Sequence, residues 1–250
     1  MARAAIPRRL TWTVADVVEI AAETATVRSL TLRVPDWNGH RAGQHLDVRL
    51  TAEDGYQAQR SYSIASPPDG ERVAITVERL EDGEVSPYLC DVVVVGDRLE
   101  LRGPIGGYFV WEPARGGPLL LVGGGSGVVP LMAILRARQA AGSDVPIRGL
   151  FSWRSGADII YGTELDRVAT AADGVAIVHT LTRSAPAGWT GRRGRVDESM
   201  LREVAWPVAD RPLAFVCGPT GFVETVASTL VALGHEPARI LTERFGPTGG

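Results

Sequence analysis

The pattern of apolar and polar positions changes character part-way along this 250-residue chain. Up to about residue 107, apolar positions come in short runs closed by turn residues. Residues 26–34 (TVRSLTLRV) alternate and stop at Pro35-Asp36. Residues 45–50, 73–77, 92–95 and 98–101 are further candidate strands, with Asp54-Gly55 and Gly96-Asp97 as turns. Short strands at this spacing predict an antiparallel β-barrel or sandwich. Beyond residues 113–118 (PARGGP), strands and helices alternate. Strands are predicted over 119–122, 147–151, 176–181, 213–216 and 240–242, and helices over 130–141, 163–171, 197–204 and 221–233. Regular βα alternation means a doubly wound parallel sheet with helices on both faces. The predicted fold is therefore a barrel domain over residues 1–114 followed by an α/β domain over 115–250, with residues 1–9 a loose tail.

The stretch 119–130 (LLLVGGGSGVVP) stands out. A β-branched, leucine-rich run without alternation suits a strand buried on both faces. Three glycines then let the backbone turn tightly, and Pro130 fits the first turn of a helix. Strand, glycine turn and helix N-terminus together form a phosphate cradle, because free N–H groups and the positive end of the helix dipole meet there. Gly125, Gly127 and Pro130 spell G-x-G-x-x-P rather than the dinucleotide fingerprint G-x-G-x-x-G. A Walker loop is excluded by the missing Gly-Lys-Ser/Thr ending, and a nucleophile elbow by the missing last glycine.

Composition narrows the classes. Hydrophobic residues make up 45% and charged residues 22%, as in a globular chain. The net charge of −3 gives no case for nucleic acid. All 26 basic residues are arginine, so a single arginine carries little weight. Two distant cysteines and four scattered histidines make no metal cluster or disulfide framework. No apolar run approaches the ~18 residues of a membrane span. The basic start lacks a hydrophobic signal region, and a cytoplasmic location is expected.

Three further segments carry candidate chemistry. In Arg60-Ser61-Tyr62-Ser63, an extended chain puts Arg60 and Tyr62 on one side, suited to a phosphate and a ring. An ordinary strand with a surface arginine reads the same residues equally well. In Asp82-Gly83-Glu84-Val85-Ser86-Pro87, Ser86 is placed to cap a helix whose start can meet phosphate, although a plain hairpin turn fits too. Cys217-Gly218-Pro219 ends an apolar strand, where ligands bind in open parallel sheets; a small buried residue before a turn is the alternative.

Taken together, these segments resemble the ferredoxin–NADP reductase superfamily. Arg60 to Ser63 is similar to its R-x-Y-S flavin motif and Gly83 to Ser86 to its G-x-x-S pyrophosphate element. The glycine turn is similar to its nucleotide loop, Cys217-Gly218-Pro219 to its C-G-P motif, and Glu243-Arg244-Phe245 to its closing acid-x-aromatic element. The match runs over residues 10–246 in the family's order.

The resemblance implies a flavoprotein oxidoreductase with FAD, or less readily FMN, in the barrel and NADPH or NADH on the α/β domain. It implies Arg60 on the flavin phosphate, Tyr62 stacked on the ring, Ser63 near the flavin N5, and Ser61, Gly83, Glu84, Val85 and Ser86 along the pyrophosphate. Ser126 replaces the usual threonine and reaches toward the flavin. Gly125, Gly127 and Gly218 would hold the nicotinamide nucleotide, with Cys217 beside the nicotinamide. Phe245 would shield the flavin and Glu243 would relay protons, although residues 246–250 (GPTGG) extend past the family's usual terminal aromatic. Arg154, Arg183 and Arg195 match positions where NADPH-using members place arginine. No plant-type iron–sulfur cysteine spacing is present, so electrons would leave to a separate ferredoxin, with free flavin or small molecules as alternative acceptors. A non-catalytic nucleotide or redox sensor on the same scaffold is the rival from another class.

Overall fold

The computed structural model describes residues 10–171 and 173–246, so the N-terminal tail and residues 247–250 lie outside the described part. Six strands come first: β1 (Thr13–Ala22), β2 (Val27–Arg33), β3 (His45–Thr51), β4 (Gln57–Ser63), β5 (Arg72–Glu78) and β6 (Arg98–Ile105). They form one antiparallel sheet in the order β4-β3-β6-β1-β2-β5. A bridge between Ile64 and Ile75 brings the two edges together and closes the barrel. Alternation explains the interior: Leu30, Leu32, Leu46, Val48, Val73, Ile75 and Val77 all point into one core.

Two expectations need correction here. Residues 92–95 form no strand. A short helical turn, Tyr88–Val92, takes up the start of the run, and Val94 and Val95 are each 60% exposed. Ser86 does not cap that turn; its Oγ accepts from the Leu80 N–H at 3.0 Å and closes the loop ahead of it.

The second half interleaves β7 (Leu119–Gly124), α1 (Val128–Ala140), β8 (Ile147–Ser155), α2 (Gly162–Thr170), β9 (Val175–Ser184), a two-residue β10 (Arg192–Arg193), α3 (Glu198–Val204), β11 (Leu213–Pro219), α4 (Thr220–Ala232) and β12 (Ile240–Phe245). Its sheet order is β10-β9-β8-β7-β11-β12, with every pair parallel. The order reverses between β7 and β11, and that switch point opens a crevice at the strands' carboxyl ends. Leu119 and Leu121 face α1, whereas Leu120 and Val122 face the α3–α4 side. The acidic cap at α3 is present: Asp197 accepts from the Met200 N–H at 2.9 Å.

α1 is buried all round, from Val128 through Leu135. One side packs on the parallel sheet, and the same core takes in Val27, Ala42, Ala65, Phe109 and Trp111 from the barrel half. Phe109 meets Phe215 of β11 edge-on at 5.2 Å. A helix apolar on every side belongs inside a protein, and here it is the seam between the two halves. Leu131, fully buried beneath Gly123, is a sensitive point in it. Leu131→Ala should lower unfolding stability by about 2–5 kcal/mol in a denaturant titration, and a loss under about 1 kcal/mol would contradict this packing.

Candidate active site

One cleft of about 1130 Å³ runs between the two halves. Its floor is the β7–α1 turn. Gly125 sits at φ +55°, where a side chain would be strained. A Cβ on Gly127 would overlap the Cys217 carbonyl, so only glycine lets the turn lie this close to β11. No side chain caps α1. The Val128 N–H turns back to the Gly125 and Ser126 carbonyls and Pro130 has none, so phosphate contact falls to the turn itself, whose Gly124, Gly125 and Ser126 line the cleft with Val129.

The barrel supplies the opposite wall. Arg60, Ser61, Tyr62 and Ser63 line it with Gly83, Glu84, Val85 and Ser86. Tyr62 packs on the barrel core, and burial raises its phenol well above the usual value. Arg60 Nη2 donates to Glu84 Oε2 at 2.6 Å, and the Tyr56 hydroxyl donates to Glu84 Oε1 at 2.5 Å. Those two donors, Tyr56 first, hold the Glu84 carboxyl below its ordinary pKa. Ser61 is also tied outward, to Asp47 at 2.6 Å.

At the far end, Arg154, Arg183 and Arg195 converge from the ends of β8 and β9 and from the loop after β10. None of the three figures among the ion pairs of the described residues. Phe245 and Gly246 complete the lining on the β12 side.

Gly127, Cys217, Gly218 and Glu243 are not among the cleft-lining residues. Cys217 is not the last residue of its strand. β11 runs on to Pro219, and Cys217 lies between Gly123 of β7 and Glu243 of β12, buried under the glycine turn. Burial pushes its thiol pKa far up, so it is no thiolate. Glu243 lies just behind the lining. Its Oε2 has no hydrogen-bond partner, and Oε1 is 3.8 Å from His45 Nδ1. Burial raises the carboxyl to about 7 and lowers His45, so the contact is not a formed ion pair near neutrality.

Other lining residues escaped the motif reading. Thr24, Thr26 and Thr76 come from barrel elements with no motif. Asp158 follows β8 and accepts from the Ser155 hydroxyl at 2.6 Å. Phe222, near the start of α4, lies on both Gly124 and Gly218; Cβ atoms there would come within 3.2 and 2.7 Å of its ring. Two glycines at neighbouring strand ends, followed by an aromatic, were the available signal.

The description "Oxidoreductase FAD-binding domain" matches residues 12–110, and "Oxidoreductase NAD-binding domain" matches residues 121–228. Ferredoxin–NADP reductase B of Sorangium cellulosum is 38% identical over 190 residues, which cover 74% of this chain and 76% of that protein. The chain belongs to the ferredoxin–NADP reductase superfamily. This oxidoreductase uses FAD and NAD(P)H. The glycine betaine monooxygenase reductase subunit of Pseudomonas aeruginosa is 32% identical over 212 residues, 83% of the reductase described here but only 57% of that subunit. Among solved structures, the FAD/NAD-binding domain of nitric oxide dioxygenase from Vibrio cholerae superposes with a TM-score of 0.84 at 29% identity, covering 94% of this reductase and 99% of that domain.

The buried Glu243 carboxyl gives the reductase a pH signature. Its proton is held to about 7 in the folded chain, against an ordinary value of 4.5. The folded state therefore binds the extra proton, and stability from this group falls as pH rises through that window. Glu243→Gln should match the parent below the window and exceed it by about 2–3 kcal/mol above neutrality. Equal stability of the two proteins at pH ~8 in thermal or denaturant unfolding would contradict the burial of a charge there.

Proposed function

We propose that this reductase takes a hydride from NADPH in the interdomain cleft and delivers electrons, through FAD, to a separate one-electron acceptor such as a ferredoxin. The carrying observation is that a single cleft joins Arg60–Ser63, the Gly83–Ser86 loop, the glycine turn and three arginines. Its volume of about 1130 Å³ exceeds the roughly 300–1,000 Å³ of an ordinary ligand pocket. That space, the glycine turn and the exposed Arg60 fork suit a dinucleotide with a second nucleotide opposite.

Bound flavin supplies the step from paired to single electrons. The chain's part is to bind, orient and exclude water. Arg60 pairs with a flavin phosphate, sharing its fork with Glu84. The loop ending in Val85 and Ser86 meets the pyrophosphate. Tyr62 gives one flat wall and Phe245 the other, which yields when nicotinamide enters. Ser63 donates to the ring edge, and Ser126 approaches it from the nucleotide side. Gly125 and Gly127 let the second pyrophosphate reach the start of α1, with Gly218 behind. Cys217 shapes the wall from inside it. Glu243, raised to about 7 by burial, can take up or release a proton close by.

The partner reading draws on relatives named as reductase components of oxygenase systems, among them the ferredoxin reductase component of a Mycobacterium tuberculosis 3-ketosteroid-9-alpha-monooxygenase. No described helix is long and apolar enough to cross a membrane. A cytoplasmic place accords with two free, buried cysteines.

Asp158 favours a second reading for the nucleotide, because an acid near the ribose suits NADH. The two readings separate in steady-state ferredoxin reduction measured with both nucleotides. Arg154→Ala/Arg183→Ala should raise the KM for NADPH by about tenfold or more, as lost charge-assisted bonds to a phosphate require, and leave NADH little changed. NADH as the better substrate of the parent protein would contradict the preference for NADPH.

A further inference from the structure

One polar cluster joins the two halves at the edge of the cleft. Tyr161, between β8 and α2, is only 4% exposed and holds a left-handed backbone at φ 58°. For a bulky side chain that conformation is strained and persists only where its surroundings enforce it. The turn sends the ring into the barrel half. There the hydroxyl bonds Thr76 Oγ1 of β5. Thr76 in turn bonds Ser29 Oγ of β2 at 2.8 Å, and Ser29 donates to Glu23 at 2.6 Å. On the nucleotide side, the Arg136 guanidinium of α1 lies 4.7 Å from the Tyr161 ring centroid. Arg136 donates to Glu164 of α2 at 2.6 and 3.0 Å, and to the Ala65 carbonyl at 2.8 Å.

Each partner lies close to a half-site. Ala65 follows Ser63 by two residues, and Thr76 and Ile160 are themselves cleft-lining. Arg136 lies on the helix whose start is the glycine turn. The clamp thus ties the flavin wall to the nucleotide floor through one buried hydroxyl–hydroxyl bond and several half-buried contacts of Arg136, which restrict the geometry more than exposed bonds would. Hydride transfer needs the reacting atoms within about 3–3.5 Å, and a 1 Å misplacement costs on the order of a hundredfold.

We propose that Tyr161, held by Thr76 and Arg136, is a positioning residue for hydride transfer that fixes the separation of the two half-sites across the cleft. The proposal rests on the cleft being the site of NAD(P)H oxidation, so the parent protein must first show its bound FAD reduced by NADPH. If it does not, the functional reading fails, and the clamp's mechanical role is still decided by the exchange measurement below.

The test compares the parent with Tyr161→Phe and Thr76→Val, each of which removes one side of the bond and keeps the packing. In FAD-free protein, hydrogen exchange over residues 65–76 and 156–164 should speed up by about fivefold in both variants, while β7 and β11 stay protected. In FAD-loaded protein, the rate of flavin bleaching by NADPH should fall by about tenfold or more, with the affinities for FAD and NADP+ within about twofold of the parent. The long-wavelength absorbance of nicotinamide stacked on flavin should weaken in parallel. Unchanged exchange overturns the clamp. Unchanged bleaching, or a loss matched by equal losses of FAD and NADP+ affinity, overturns the positioning role and leaves Tyr161 a purely structural residue.

Discussion

The burial of α1 on every side is the constraint on which the rest depends. A helix with apolar residues all round must be covered all round. The parallel sheet covers one side, and the barrel's Phe109, Trp111 and Ala65 join the same core. Two domains with separate cores would move freely relative to one another. Here one of the three cores spans both. The same helix begins at the glycine turn, so the element that fuses the halves also carries that turn into the crevice between them.

Polar contacts then refine what apolar burial brings together. Arg136 and Tyr161 pin the seam, and within the α/β half the glycine turn packs against Cys217. Beside them lies a cleft with a basic end and an arginine held by a carboxylate, and just behind its lining a buried acid raised to about 7. Such a site has arginine charge at both ends, at Arg60 and at Arg154, Arg183 and Arg195. This division suits a flavoenzyme, in which the cofactor does the electron chemistry and the chain sets distances.

Much of this was legible in the residues. The two periodicities separated barrel from α/β half, and the ends of β7, α1, α3 and α4 fell within a few residues of the glycine, proline and acidic signals. The R-x-Y-S segment, the Gly83–Ser86 loop and the glycine turn do share one cleft. The illegible parts have physical reasons. Residues 92–95 read as a strand because β-branched composition was taken for burial, yet Val94 and Val95 are mostly exposed. Cys217 read as a strand end because Gly218 and Pro219 look like breakers, yet both still pair with β12. Tyr161 and Thr76 meet partners far away in the chain, and no local pattern announces such contacts.

The central claim, that hydride crosses this cleft from nucleotide to flavin, is tested most directly by single turnover. FAD-loaded protein is mixed without oxygen with NADPH or with NADPH carrying deuterium at the transferred position. The account predicts bleaching of the flavin bands in one phase, and slower bleaching with the deuterated nucleotide. Bleaching that is absent, or that proceeds at the same rate with both nucleotides when chemistry limits the phase, would contradict it.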